Sequence, residues 1–152
     1  MKSNRLFLTS GQNLVEFAVL LPITVLIIIF TLDFGRVIFY YSSLNNSTRE
    51  GARYGTVADF ACDDSGVINT VIERSIGIDP GDLNITVTWT NVVTTPTCKP
   101  THPGLATVTV HAIMCFEPIT PVVAIFLGGG GGGVCPSGTI PLDSSTTMYL
   151  EM

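Results

Sequence analysis

The fold of this 152-residue chain is decided by residues 11–40, which read GQNLVEFAVLLPITVLIIIFTLDFGRVIFY. Residues 17–32 of this stretch carry no charged side chain. A helix of about 25 residues rises roughly 1.5 Å per residue, so its length of about 37 Å exceeds a hydrocarbon core of about 30 Å. The stretch therefore predicts one membrane-spanning helix over about residues 17–41.

The composition agrees with a membrane-associated chain that carries one small domain. Charged residues make up 12% of the sequence and hydrophobic residues 46%, whereas soluble domains carry about 25% charged residues. Residues 1–53 hold five basic and three acidic side chains, and residues 54–152 hold two basic and nine acidic ones. Because phosphate neutralisation needs clustered Lys and Arg, we expect no nucleic-acid binding by this acidic part.

The charges before the apolar stretch predict its orientation. Lys2 and Arg5 precede it, and the positive-inside rule then places the N-terminus in the cytoplasm and the later residues outside it. A cleaved secretory signal is the alternative. Such signals have an apolar core of about 7–15 residues and a small-residue cleavage site, and the SSLN of residues 42–45 is a poor site. An uncleaved single-pass anchor in the cell membrane is favoured.

All four cysteines follow the span, at positions 62, 98, 115 and 135. An even number of cysteines in a small extracytoplasmic domain predicts two disulfides, for which three pairings are possible. We favour Cys62–Cys98 and Cys115–Cys135 because the members of each pair are neighbours in sequence. Reduced core cysteines are the alternative. The spacings fit no CxxC metal pattern, and we predict no metal and no other cofactor.

The start of the apolar helix carries a second pattern. Glu16 lies at its cytoplasmic mouth, five residues after Gly11 and directly before Phe17. A carboxylate inside a membrane is costly and tends to be paired and functional, although a carboxylate held at the headgroup level is the simpler interpretation. A Gly followed five residues later by Glu-Phe, between a basic head and an apolar helix, is typical of a prepilin-peptidase site. Cleavage after Gly11, in an extended segment that enters the protease, would free the amine of Gln12 to neutralise Glu16 of a neighbouring protomer.

Residues 11–55 resemble the TadE-like family of minor pseudopilins of the Tad (Flp) type IV pilus machinery. The resemblance is carried by the Gly11-to-Phe17 pattern, by Ala18, by Leu21-Pro22, by Gly35, and by the motif Arg49-Glu50-Gly51-Ala52-Arg53-Tyr54-Gly55. Gly51 stands where Ala is common in the family. Residues 144–151 are similar to the closing strand of such proteins, though less specifically, and the six-glycine run of residues 128–133 departs from the family.

The resemblance implies a non-enzymatic component of pilus assembly that a prepilin peptidase cuts after Gly11. Glu16 would be the acid needed for processing or assembly. The implied partners are the membrane, the peptidase, other pilins or pseudopilins and the pilus assembly platform, with no small-molecule substrate. A generic single-pass protein with a small extracytoplasmic binding domain is the alternative, and a longer adhesin-like relative from the same system is disfavoured by the short chain.

The motifs that indicate an enzyme are missing from the sequence. It contains no HExxH and no GxSxG, and its two histidines are His102, in a proline-rich stretch, and His111, in a predicted strand. Asp63 and Asp64 are a conceivable metal pair, but helix capping explains them more simply. The glycine run lacks the Lys-Ser/Thr of a phosphate-binding loop.

Three features of the long helix indicate how it packs. Pro22 tends to kink a helix, and Asp33 and Arg36 lie three apart and can pair near the outer leaflet. Gly51 and Gly55 form a small-xxx-small pair that allows close approach of the protein's own sheet or of a partner. We assign helix packing to Pro22, Arg49, Gly51, Arg53 and Gly55.

The rest of the sequence predicts an α+β, pilin-like domain with an antiparallel sheet. Residues 67–76 have the periodicity of a second helix, and 83–90 and 106–114 alternate as two strands with a loop at 95–104 between them. A third strand is expected at about 144–151. Residues 119–127 are apolar but too short to span a bilayer, so they are a buried segment or a membrane-surface contact. The chain thus divides into a basic leader (1–11), a long helix (12–60) and a small domain (61–152).

Overall fold

A computed structural model describes residues 8–57, 62–93, 99–101, 105–120 and 134–150. The chain begins with one long helix and continues into a small domain with an antiparallel sheet, which confirms the predicted α+β plan. The helices are α1 (Leu8–Val57) and α2 (Asp64–Arg74), with a 3-10 turn at Pro80–Asp82, and the strands are β1 (Leu83–Thr90), β2 (Val92–Val93), β3 (Lys99–Pro100), β4 (Thr107–Phe116) and β5 (Ile140–Tyr149).

Helix α1 runs without interruption for 50 residues. It continues as a helix through Pro22, and it extends well past residue 41 as expected. Proline in a helix interior removes one backbone hydrogen bond, which membrane helices tolerate. The predicted helix end at residue 60 lies outside the described residues, because residues 58–61 are not among them.

The main sheet has three antiparallel strands in the order β1-β4-β5, so β4 is central. Val110 of β4 pairs with Val87 on one side and with Thr146 on the other. The two alternating strands and a third strand were predicted, and all three are present. The third strand begins at Ile140, four residues before the predicted start, because Ile140 and Leu142 continue its alternation of buried and exposed side chains.

The prediction of a loop over residues 95–104 is wrong at residues 99–100, which form a short strand. Lys99 and Pro100 pair with Val93 and Val92 in a second, two-stranded ribbon. Thr101 continues the pairing of the two segments, since its backbone N–H donates a hydrogen bond to the Asn91 carbonyl at 2.8 Å. The proline in this short ribbon hid the pairing from sequence analysis, although Pro is accepted on edge strands.

Helix α2 forms where its caps and periodicity predict it. The Asp63 carboxylate accepts a hydrogen bond from the Gly66 N–H at 3.0 Å, which satisfies one of the free donors at the helix start. Val67 and Val71, one turn apart, are both fully buried. The helix ends at Arg74, and Gly77 follows in the left-handed region with φ of +78°.

The core lies between the sheet and the C-terminal half of α1. Alternate residues of β4 point to α1 and are buried, while the intervening ones are only half-buried. Buried apolar residues from both helices, from β4 and β5 and from the segments beside them form this core: Leu44, Ala52, Val67, Val71, Ile78, Val108, Val110, Ala112, Met114, Phe116, Ile140 and Leu142. One face of the sheet is thereby covered, and it holds the end of α1 in place.

Candidate functional site

The Gly11–Phe17 pattern lies in the first two to three turns of α1. Gly11 is the fourth residue of the helix and is exposed, with no atom within 4 Å of a Cβ built on it. The structure therefore holds the candidate cleavage point in a helix rather than in the extended form expected for protease entry. The first four N–H groups of a helix lack intrahelical partners, so opening this turn breaks few hydrogen bonds.

Gln12 and Glu16 share one face of α1, because they are four residues apart. Both side chains are exposed, and the neighbouring Phe17 is 65% exposed. Among the described residues, the ion pairs are Asp33–Arg36 and His111–Asp143, so Glu16 has no cationic partner within this part of the chain. Its carboxylate is open to a charge supplied from outside the described residues.

The helix segment that follows Glu16 exposes apolar side chains on all sides. Leu20, Leu26 and Leu32 are each more than half exposed, and so are most of their apolar neighbours. The hydroxyls of Thr24 and Thr31 donate to carbonyls one turn back, at 3.0 and 2.8 Å, and so leave no free donor on this surface. This is the one helix among the described residues that is long and apolar enough to cross a membrane.

The two glycines of the small-xxx-small pair contact the protein's own domain. A Cβ on Gly51 would collide with the Val71 side chain of α2. A Cβ on Gly55 would lie 3.2 Å from Trp89 of β1 and 3.3 Å from Val108 of β4. The small-xxx-small pair was compatible with close approach of the protein's own sheet or of a partner. Both glycines pack against the protein's own domain.

The remaining residues assigned to helix packing are exposed within this chain. Pro22 lies on the exposed apolar surface of α1, where it helps to line an apolar groove. Arg49 and Arg53 flank the buried Gly51 and Ala52 but point away from the core. Their role in packing stays a prediction, and it requires a partner outside the described residues.

The role of Asp33 goes beyond the pairing with Arg36 that the sequence predicts. The predicted pair with Arg36 is present at 3.6 Å, but Asp33 is completely buried. Its carboxylate also accepts hydrogen bonds from the backbone N–H groups of Ile119 and Thr120, at 3.2 and 3.0 Å, and from the Thr120 hydroxyl at 2.9 Å. The only signal in the sequence was an acid at the end of an apolar helix.

Arg36 completes this cluster from the other side. Its guanidinium carbon lies 5.2 Å from the ring centre of Phe116 and 5.8 Å from that of Tyr40. These are cation–π distances, and the two rings are themselves 5.8 Å apart. The cluster joins the end of the apolar helix to the last residue of β4 and to the chain that follows it.

The three cysteines among the described residues are disulfide-bonded, as the sequence predicts. A disulfide joins Cys115, near the end of β4, to Cys135, and this is the favoured pairing. Cys62 is also disulfide-bonded. Its predicted partner Cys98 lies outside the described residues, and so does His102.

Polar side chains elsewhere have structural partners. Asp63 caps α2, and the Asp64 carboxylate accepts a hydrogen bond from the Trp89 indole at 2.6 Å. The His111 imidazole lies 3.9 Å from the Asp143 carboxylate on the neighbouring strand, and both side chains are partly exposed. Across the described ranges, no group of three His, Cys, Asp or Glu side chains could hold a metal ion.

Together, these features define a class of protein. A single apolar N-terminal helix that continues into a small, disulfide-containing α+β domain fits a single-pass membrane protein. The family model described as TadE-like protein matches residues 11–53, which confirms the resemblance seen in the sequence over that range. The match points to a component of Tad pilus assembly. The TadE-like family is not known for enzymatic activity. No curated protein and no solved structure matches the chain.

Proposed function

We propose that this protein is a minor pseudopilin of the Tad (Flp) pilus, anchored in the cell membrane by α1 and processed by a prepilin peptidase after Gly11. The observation that carries the proposal is the match of residues 11–53 to TadE-like proteins, over a helix in which Gly11 and Glu16 precede a long, exposed apolar surface. Residues 1–11 are then a cytoplasmic leader, and residues 12–60 the helix that carries the domain of residues 61–152.

The orientation in this proposal puts the N-terminus in the cytoplasm and the domain outside. The Cys115–Cys135 disulfide supports it, because disulfides form and persist in extracytoplasmic compartments. Lys2 and Arg5 support it through the positive-inside rule. The partners are the peptidase on the cytoplasmic side, and other pilins or pseudopilins and the assembly platform.

Processing would create the site through which the protein assembles. The new amine of Gln12 and the carboxylate of Glu16 carry opposite charges near the membrane edge, where an unpaired charge is costly. Since Glu16 has no cationic partner among the described residues, the amine of a neighbouring protomer can neutralise it. This pairing would fix the axial register between stacked helices.

The test is the intact mass and N-terminal sequence of the membrane-extracted protein, with and without a co-expressed prepilin peptidase. We expect a chain that starts at Gln12 only when the peptidase is present, and loss of this product in Gly11→Ile. Gly35→Ile is the matched control, because Gly35 lies in the same helix and its Cβ position is equally open. It should be processed like the wild type.

The contrary result separates this proposal from its alternative. A chain that keeps Lys2 and Arg5 under both conditions would leave a generic single-pass protein with a small extracytoplasmic binding domain. If processing occurs, Glu16→Ala should reduce processing or co-purification with other pilins. Glu50→Ala, at an exposed glutamate of the same helix, should leave both unchanged.

A further inference from the structure

The Asp33 carboxylate holds residues 119–120, which form one corner of the domain, against the apolar part of α1. It accepts three hydrogen bonds from the consecutive residues Ile119 and Thr120, which follow β4. Two of the donors are backbone N–H groups, so the position of the chain itself is fixed. Thr120 also lines an apolar groove of about 420 Å³ on α1, and the other residues that line it are Leu21, Pro22, Val25, Leu26, Ile29 and Phe30.

The Ile119 side chain is left uncovered at this corner. It is 65% exposed, although its backbone N–H is bound to a fully buried carboxylate. An exposed isoleucine alone would need no explanation. This one lies at the level of residue 33, beside an exposed apolar surface that includes Leu32 and Phe34.

A second exposed isoleucine allows a comparison along the helix axis. Ile76 is 72% exposed, and its carbonyl accepts a hydrogen bond from the Ser43 hydroxyl. Residues 33 and 43 are separated by ten helical positions, which corresponds to about 15 Å of rise. Ile119 is therefore close to the apolar end of α1, and Ile76 lies about 15 Å further from it.

We infer that the domain contacts the outer leaflet of the bilayer through Ile119, and that Asp33 is the positioning residue that holds it there. This inference rests on the membrane-spanning part of the proposed function. The partner is a phospholipid surface, because the corner is continuous with the exposed apolar surface of α1 and presents the exposed Ile119 side chain near Arg36. The Arg36 side chain is 41% exposed, and arginines near the ends of membrane-spanning segments reach toward the membrane interface.

The arrangement also explains how a carboxylate is accommodated at this depth. Asp33 lies 16 positions after Phe17, about 24 Å along the helix, and so falls within a hydrocarbon core of about 30 Å that starts near Phe17. Here its charge needs compensation, which two N–H groups, one hydroxyl and Arg36 provide. The domain corner therefore lies at the level of the outer leaflet with the Ile119 side chain toward lipid.

The test is tryptophan quenching by phospholipids brominated near the headgroup end of the acyl chains, with the full chain in vesicles. Three single variants are compared: Phe30→Trp in the apolar helix, Ile119→Trp at the corner, and Ile76→Trp as the matched exposed control. Native Trp89 is the background in all three, since it packs near Gly55, about 33 Å along the helix from Asp33. We expect loss of fluorescence for Phe30→Trp and Ile119→Trp and none for Ile76→Trp.

The pattern of quenching separates the possible failures. Quenching of Phe30→Trp without quenching of Ile119→Trp would overturn the lipid contact and leave the membrane anchor intact. Absence of quenching in Phe30→Trp would overturn the anchor and the lipid contact with it, whereas failed processing at Gly11 would leave the quenching pattern unaffected. Equal quenching at positions 119 and 76 would also overturn the inference, because the contact would then not be confined to the corner.

The role of Asp33 is tested in the Ile119→Trp background. Asp33→Ala should lower the quenching at position 119 toward that of Ile76→Trp, while Thr120→Val, which removes only the hydroxyl, should retain most of it. Formation of the Cys115–Cys135 disulfide, measured by mass before and after reduction, shows that each variant has folded. Unchanged quenching in folded Asp33→Ala would overturn the positioning role.

Discussion

The two halves of α1 are one continuous helix but have opposite surroundings. From residue 14 to residue 32 its apolar side chains are mostly exposed, whereas Leu44, Ser47, Thr48 and Ala52 of its second half are fully buried by the protein's own sheet and α2. The second half buries polar groups as well, and the Thr48 hydroxyl lies 3.1 Å from that of Ser144 in β5. The apolar side chains of the second half therefore stabilise the fold by burial in the core, whereas those of the first half form a surface suited to contact with lipid.

The largest expected effect comes from removing the same side chain from each half. Leu44→Ala empties a fully buried position and should lower the free energy of unfolding of the domain by about 2–5 kcal/mol. Leu26→Ala changes a side chain that is 52% exposed and should leave it nearly unchanged. Denaturant unfolding of the full chain in detergent, followed by Trp89 fluorescence, measures both. Equal losses in the two variants would contradict the division of α1 into two halves.

A smaller effect is expected from adding one methyl group to each half. Gly51→Ala places a Cβ against Val71, and such overpacking costs typically about 1–3 kcal/mol. The better helix propensity of Ala offsets up to about 1 kcal/mol of this cost. Gly35→Ala adds the methyl group in open space and should have no packing cost. The same unfolding measurement compares the two variants.

A second substitution shows whether the collision is the cause. Val71→Ala alone should destabilise the domain, because it removes buried apolar atoms. In the Gly51→Ala, Val71→Ala double variant the loss should be less than the sum of the two single losses, since the added methyl group occupies the vacated space. Additive losses would show that Gly51 is not close-packed against α2.

The sequence alone predicted the elements whose signal is local. The apolar run of residues 17–32, the alternation in β1 and β4 and the Asp63 cap are each contained in a single short stretch of consecutive residues, and each is present in the structure. The Gly11–Glu16 pattern was likewise local, and residues 11–53 match the family that it resembles. Such signals need no knowledge of distant residues.

What the sequence could not predict depends on contacts between distant residues. Asp33 and Thr120 are separated by 87 positions, so the local spacing showed only the pair with Arg36. The Val92–Val93 ribbon with Lys99–Pro100 was hidden for a related reason, because two-residue strands carry no periodicity. Gly11 was expected in an extended segment and is helical, since nothing in residues 8–17 stops a helix that the apolar run has begun.

The smallest expected effect on stability concerns the outer face of the second half. Arg49 and Arg53 are exposed and form no ion pair among the described residues, so Arg49→Ala and Arg53→Ala should each change the unfolding free energy by less than about 0.5 kcal/mol. They lie one turn apart in a chain whose residues 54–152 carry two basic and nine acidic side chains. If they pack against another protein, the double variant should lose co-purification with other pilins while its unfolding midpoint stays that of the wild type. Unchanged co-purification would limit the packing of α1 to its buried face, and a large loss of stability would show that the two arginines act within the chain.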